Sequence, residues 1–260
     1  MPGVLIAAAV LLPIAYLLIK TAGAGESALQ LLFRVRTLQV LANTALLALT
    51  VTAATSVLGV ALGWLTVRTD LPLRRLWSVL LVMPLVVPSY VGGFVLVAAF
   101  GPRGMLQQLL APLGVERLPE IYGFPGAVLA LTLFSYPYVL LGVRGALSGM
   151  DPSPEEAARS LGYDLRSTVF RVVLPQLRPA IAAGALLVAL YTLSDFGAVS
   201  LLQFESFTYQ IYIQYQGSFD RTLAAVLSLL LVCLTAAVLY AEGQARGRAR
   251  YYRSTVGSAR

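Results

Sequence analysis

The sequence predicts an all-α, polytopic membrane protein, and three observations carry that prediction. Hydrophobic residues make up 58% of the 260 positions and charged residues only 12%, about half the charged share of an ordinary soluble domain. Apolar runs recur along the chain, each near the length of about 18 or more residues that lets a helix cross a hydrocarbon core of about 30 Å. The short alternating segments of a membrane β-barrel do not occur in them.

Apolar windows place six spans near Val4–Ile19, Leu41–Val67, Leu76–Phe100, Phe124–Leu147, Ala180–Leu202 and Leu223–Ala241. The first resembles a secretory signal, with Ala22-Gly23-Ala24 offering small residues for cleavage. No basic segment precedes it, so it reads as a retained helix. Six crossings put both termini on one side, and the whole chain, residues 1–260, reads as one transmembrane domain. With cytoplasmic termini, thirteen basic residues fall inside, among them Arg68, Arg74, Arg75, Arg144 and the arginines of the tail. Six fall outside: Lys20, Arg34, Arg36, Arg103, Arg117 and Arg221. The excess of positive charge on cytoplasmic segments supports that orientation. The basic tail reads as stop-transfer arginines; without interleaved aromatic stacking residues it gives no nucleic-acid surface.

Between spans four and five lies an insert over residues 149–179, rich in Ser, Glu and Arg. Ser153 as N-cap, Pro154 at the first helical position and Glu156 three residues after the cap predict a capping box and a short helix. Glu155 and Arg159 stand one turn apart and can pair. Gly162 suits the C′ position, where φ is positive. A second helix from about Leu165 is expected to stop at Pro175, which lacks an N–H and clashes with the preceding turn. Such a cytoplasmic helix pair suits docking into a cleft of another protein. It equally suits an amphipathic pair resting on lipid headgroups.

Several chemistries are excluded. The chain has no histidine and one cysteine, Cys233, which removes imidazole bases, His-containing zinc sites and internal disulfides. No catalytic, cofactor-binding or metal-binding residues are expected. A phosphate-binding loop needs Gly, four residues, then Gly-Lys-Ser/Thr. Around the single Lys20-Thr21 pair, the glycine positions hold Ile14 and Ile19.

The insert resembles a known family. Glu156-Ala157-Ala158, three residues, Gly162, nine residues, Val172, one residue and Leu174-Pro175 look like the EAA loop of ABC importer permeases, the binding-protein-dependent (MetI-like) superfamily. Val172 stands where that pattern usually has Ile. Arg68–Trp77, Met83–Gly93, Tyr136–Leu147 and Leu193–Leu202 resemble the iron(III)-type branch. In that branch two six-helix halves are commonly fused. This chain resembles the N-terminal half, and Ala245–Arg253 resembles the connector to a second half. The resemblance implies that Glu155, Glu156, Ala157, Ala158, Gly162, Leu174 and Pro175 shape a coupling loop that inserts into a groove of a cytoplasmic ATPase. The implied partners are two ATPase subunits, a second permease half, an external solute-binding protein and membrane lipid. ATP is used by the ATPase, not bound by this chain. Iron(III) is the implied cargo, and related branches move thiamine, polyamines, sulfate or molybdate. A stand-alone secondary transporter would show coupling-ion residues in several spans, and a membrane scaffold would not need the proline-broken spans.

Inside the membrane, Asp195 is the one acid deep in a span. Buried charge is costly there and faces a cavity or a partner. With Tyr191 and Ser194 beside it, and Tyr90, Tyr136 and Tyr138 on spans three and four, it forms an oxygen-rich set of candidate pathway residues. Hard cations favour oxygen ligands. A structural hydrogen bond from Asp195 to a neighbouring helix accounts for it equally well, and tyrosines also form interfacial belts. Pro84, Pro88 and Pro137 mark bends of a gate or of kinked packing. Gly59-x-x-x-Gly63 and Gly145-x-x-x-Gly149 allow close helix contact, either within one unit or with another half.

Overall fold

The computed structural model describes residues 2–23, 25, 30, 32–102, 104–115, 117–217 and 221–248. Ala24, Arg103, Arg250, Arg253, Arg260 and the end of the connector-like tail lie outside the described residues. Among the described residues every regular element is helical. In chain order these are α1 (Pro2–Ala22), α2 (Val35–Arg68), α3 (Arg74–Leu80), a 3-10 turn (Met83–Val86), α4 (Ser89–Phe100) and α5 (Met105–Leu110). After a 3-10 turn at Ala111–Leu113 follow α6 (Phe124–Ser148), α7 (Ser153–Ser160), α8 (Leu165–Thr168) and a π turn (Val169–Val173). The chain continues as α9 (Leu174–Ser194), α10 (Gly197–Leu201), α11 (Phe207–Gly217) and α12 (Thr222–Arg248).

Among the described residues, five stretches are long and apolar enough to cross a membrane: Val35–Arg68, Ser89–Leu113, Phe124–Ser148, Leu165–Ser194 and Thr222–Gln244. The N-terminal helix adds a shorter apolar stretch, Leu11–Ala22. At 34 residues, α2 is about 50 Å long at about 1.5 Å per residue, longer than a hydrocarbon core of about 30 Å.

The core is the three-helix contact of α2, α6 and α9, and glycines set its spacing. A Cβ on Gly59 would stand 2.7 Å from the Val139 Cβ, one on Gly63 2.7 Å from the Val143 Cγ1, and one on Gly184 2.7 Å from the Val139 Cα. Val139, fully buried, is therefore gripped between α2 and α9. The Gly59-x-x-x-Gly63 stripe serves packing within this chain, whereas a Cβ on Gly145 would meet nothing within 4 Å. Several buried hydroxyls are satisfied inside their own helices. Thr44, Thr55 and Thr66 donate to the carbonyls of Val40, Val51 and Leu62, each at 2.8 Å, which removes the cost of placing them in an apolar bundle.

Two expected spans and one helix of the insert differ from the observed elements. The third is not one helix from Leu76: Pro84 and Pro88 interrupt it, leaving α3 and a 3-10 turn before α4 starts at Ser89. The fifth starts earlier than expected, α9 running from Leu174 to Ser194, with Asp195 in extended backbone (φ −67°, ψ 129°) before the short α10. Pro175 does not stop the second helix of the insert. The turn just before it widens to a π turn, in which the Leu174 N–H reaches the Val169 carbonyl. That gives the proline ring room that a regular α-turn would deny it at the carbonyl four residues back.

Candidate functional site

The first candidate site is the insert, where α7 projects from the bundle. Its cap differs from the expected capping box. Ser153 is the first residue of the helix, and the capping acceptor is Asp151, whose Oδ1 accepts from the Ser153 N–H (3.0 Å) and the Ser153 hydroxyl (2.6 Å). Asp151 lies one residue ahead of the helix-adjacent Pro152, so its carboxylate reaches the orphan donors of the first turn before Ser153 can. Those hydrogen bonds, the Ser153 hydroxyl first, hold the Asp151 carboxyl below its ordinary pKa. The cap's contribution is thus fully present above the ordinary carboxylate range and is lost as pH falls through the depressed value.

Gly162 stands where the spacing placed it. At φ +85° it is the C′ residue of a Schellman turn: its N–H donates to the Arg159 carbonyl (2.9 Å), and the Tyr163 N–H to the Ala158 carbonyl (3.1 Å). Asp164 then caps α8, accepting from the Ser167 N–H at 3.2 Å. The Ser167 side chain and backbone hold that carboxyl below its ordinary pKa as well.

Ala158 is buried under α7, while Glu156 and Ala157 face outward. Leu174 and Pro175 are half-buried at the start of α9. Leu161, Tyr163, Leu165 and Phe170 expose 78%, 43%, 58% and 60% of their surfaces, a run of large apolar groups around the turn. Glu155 does not pair with Arg159. Its Oε1 accepts from Arg68 Nη2 at 2.6 Å, across 87 positions of sequence. A longer-range partner with a largely buried geometry has displaced the solvent-exposed neighbour one turn away.

The second candidate site is the break after α9. The Asp195 carboxylate is buried, at 7% exposure, and caps α10, accepting from the N–H groups of Ala198 (3.0 Å) and Val199 (3.3 Å). The Ser89 hydroxyl, at the start of α4, lies beside both Asp195 and Tyr191. The Thr208 hydroxyl donates to the Asp195 carbonyl at 2.6 Å. Gly197 fits against Ser89 and Tyr90: a Cβ there would lie 2.8 Å from Ser89 Oγ and 2.9 Å from the Tyr90 amide nitrogen.

Of the expected pathway set, Tyr138, Tyr191 and Asp195 come together, with the Tyr138 and Tyr191 rings 6.0 Å apart. Tyr90 is 56% exposed on α4, and Tyr136 is buried at 6%. The Ser194 hydroxyl turns back to the Tyr191 carbonyl (3.0 Å). Ser89, Thr208, Asp151, Asp164 and Arg68 escaped the sequence reading. Asp164, followed three residues later by Ser167 at the start of a helix, had a legible capping signal. Arg68 looked like one more topogenic charge.

Similarity to known proteins agrees with this geometry. Residues 55–242 match the family described as binding-protein-dependent transport system inner membrane component. The Fe(3+)-transport system permease protein FbpB 2 of Haemophilus influenzae is 31% identical over 258 residues, 99% of this chain and 47% of that protein. The chain thus spans about half the length of that relative. The sulfate transport system permease protein CysT of Salmonella typhimurium is 28% identical over 198 residues, 74% of this chain and 70% of that one. Among solved structures, a chain of a bacterial alginate ABC transporter, in complex with an alginate pentasaccharide-bound periplasmic protein, superposes with a TM-score of 0.72. It is 12% identical and covers 94% of this chain and 92% of its own. The overall helical fold is thus shared, and the chain belongs to the family of inner-membrane components of binding-protein-dependent transport systems.

Proposed function

We propose that this chain is the membrane-spanning half of an ATP-driven importer, with iron(III) delivered by an external binding protein as its cargo. The observation that carries the reading is the α7 knob: a capped helix, closed by a Schellman turn at Gly162, that presents Leu161, Tyr163, Leu165 and Phe170 to the surroundings. Exposed apolar side chains around a helical turn suit docking into a groove of a partner. The partner is an ATPase subunit in the cytoplasm, two copies serving two permease halves, and ATP is bound there. Both termini then lie in the cytoplasm. Iron(III) is favoured by the iron permease relative, which matches nearly the whole chain; the sulfate permease relative makes an oxyanion the alternative cargo.

Reconstitution of the full-length permease with its ATPase and binding protein tests this reading. ATP hydrolysis stimulated by iron(III)-loaded but not by empty binding protein is the expected result; stimulation by sulfate-loaded protein alone would reassign the cargo.

In the membrane, Tyr138, Tyr191 and Asp195 line the route near the α9 break. Two substitutions separate passage from structure. Asp195→Asn keeps an acceptor for the Ala198 and Val199 N–H groups, so folding should stay near wild type while uptake falls more than ATPase activity. Asp195→Ala loses the cap as well and should lower stability by about 0.5–2 kcal/mol. Thermal unfolding in detergent and uptake in proteoliposomes check both; unchanged uptake in Asp195→Asn assigns the residue to the cap alone.

A further inference from the structure

Among the described residues there are two ion pairs, and they differ in kind. Arg36–Glu205 at 3.1 Å leaves its side chains 69% and 49% exposed, the solvated sort that contributes little. Arg68–Glu155 at 2.6 Å leaves them 23% and 13% exposed. A charge-assisted bond this short and sheltered is of the stronger class, and removing one partner strands the other charge in a poorly solvated place.

Its position gives it a task. Glu155 sits in the first turn of α7 and Arg68 is the last residue of α2. Apart from this pair, α7 packs on its own continuation, α8 and the π turn. That route runs through a glycine turn and a widened helical turn, both of which can bend. In contrast α2 is held rigidly: Gly59 and Gly63, on the turns before Arg68, are in contact with Val139 and Val143 of α6. A cleft of about 400 Å³, lined in part by Trp64, Arg68, Glu155 and Leu165, lies at the joint, so α7 has little other packing there to hold it against α2.

We infer that Arg68 and Glu155 are positioning residues for energy coupling. Their ion pair fastens α7 to the cytoplasmic end of α2, so that a displacement of α7 reaches the α2–α6–α9 core directly as well as along α8 and α9. This rests on the importer reading, deepening it from the docking surface to the path of transmission.

The test uses the complete transporter with its ATPase and binding protein in proteoliposomes. Radioactive iron(III) uptake and ATP hydrolysis are measured together for wild type, Arg68→Gln, Glu155→Gln and the exchange Arg68→Glu/Glu155→Arg. In parallel, spin labels at Ser160 and Val57, in a Cys233→Ser background, report the α7–α2 distance. Both single variants should assemble at wild-type yield, broaden the distance distribution and lower uptake per ATP about tenfold; the exchange should recover much of both. A purely structural pair would broaden the distances and leave uptake per ATP unchanged, and that result overturns the inference, as does an unchanged distance distribution. A wild-type assembly that never couples ATP to uptake removes the importer reading and this inference with it. A coupled wild type with equally coupled variants removes this inference alone.

Discussion

Gly184→Leu is expected to abolish accumulation of folded protein. A single added methyl would already stand 2.7 Å from the Val139 Cα and 3.1 Å from the Tyr138 carbonyl oxygen, both backbone atoms that no rotamer change can move. Val139 cannot retreat, because Gly59 of α2 presses on it from the other side at a similar approach. Interiors are packed too tightly to absorb the volume, and overpacking costs about 1–3 kcal/mol even where side chains can yield. Here the helices themselves must separate, so the cost should be at least at the top of that range. Gly145→Leu is the matched control, since a Cβ there meets nothing within 4 Å, and it should accumulate normally. Size-exclusion profiles and thermal midpoints of the two variants in detergent measure the contrast. Equal behaviour would mean that the three-helix contact at Val139 does not hold the bundle together.

Gly162→Val and Glu156→Lys should uncouple transport while leaving the bundle folded. The first forces a β-branched residue into φ +85°, a conformation that L side chains with a branched Cβ avoid, so the Schellman turn that sets the angle between α7 and α8 must reorganise. The second reverses a charge that faces outward from α7. Neither residue lies among the buried side chains of α2, α6 and α9, so insertion and thermal stability should stay close to wild type. Uptake should fall by an order of magnitude or more, as coupling free energies of about 1–3 kcal/mol imply. Uptake at the wild-type rate from both variants, assayed at equal permease density in proteoliposomes, would remove the coupling role from this loop.

Much of the fold was legible because lipid imposes simple rules. Spans two and four matched their observed helices closely, since long uninterrupted apolar runs have one way to satisfy their backbone in a bilayer. Span three was less legible: Pro84 and Pro88 were visible, but whether a proline kinks a helix or divides it depends on the packing around it. Pro175 shows the same limit from the other side, as a π turn absorbed a residue that looked like a terminator. In the insert, Gly162 was readable because positive φ is a local demand. The choice of Asp151 over Ser153 as capping group was not, because both are good caps and their competition is settled by a turn that a residue count does not reveal. Glu155 illustrates the hardest case. Its partner one turn away was plausible by spacing, and the partner it takes is 87 residues distant. Asp195 was recognised as unusual from its type and depth alone, while its bonds to Ala198 and Val199 emerged only with the helix break that brings them together.

The most direct test of the central claim is disulfide cross-linking from a cysteine placed at Ala157, the outward-facing alanine of α7, to cysteines along the groove of the ATPase subunit, in a Cys233→Ser background. A specific cross-link to the ATPase from the cytoplasmic side is expected, with a yield that changes when ATP binds. Labelling of that cysteine by a membrane-impermeant reagent from the outer side, or no cross-link at any groove position in an assembled complex, would contradict it.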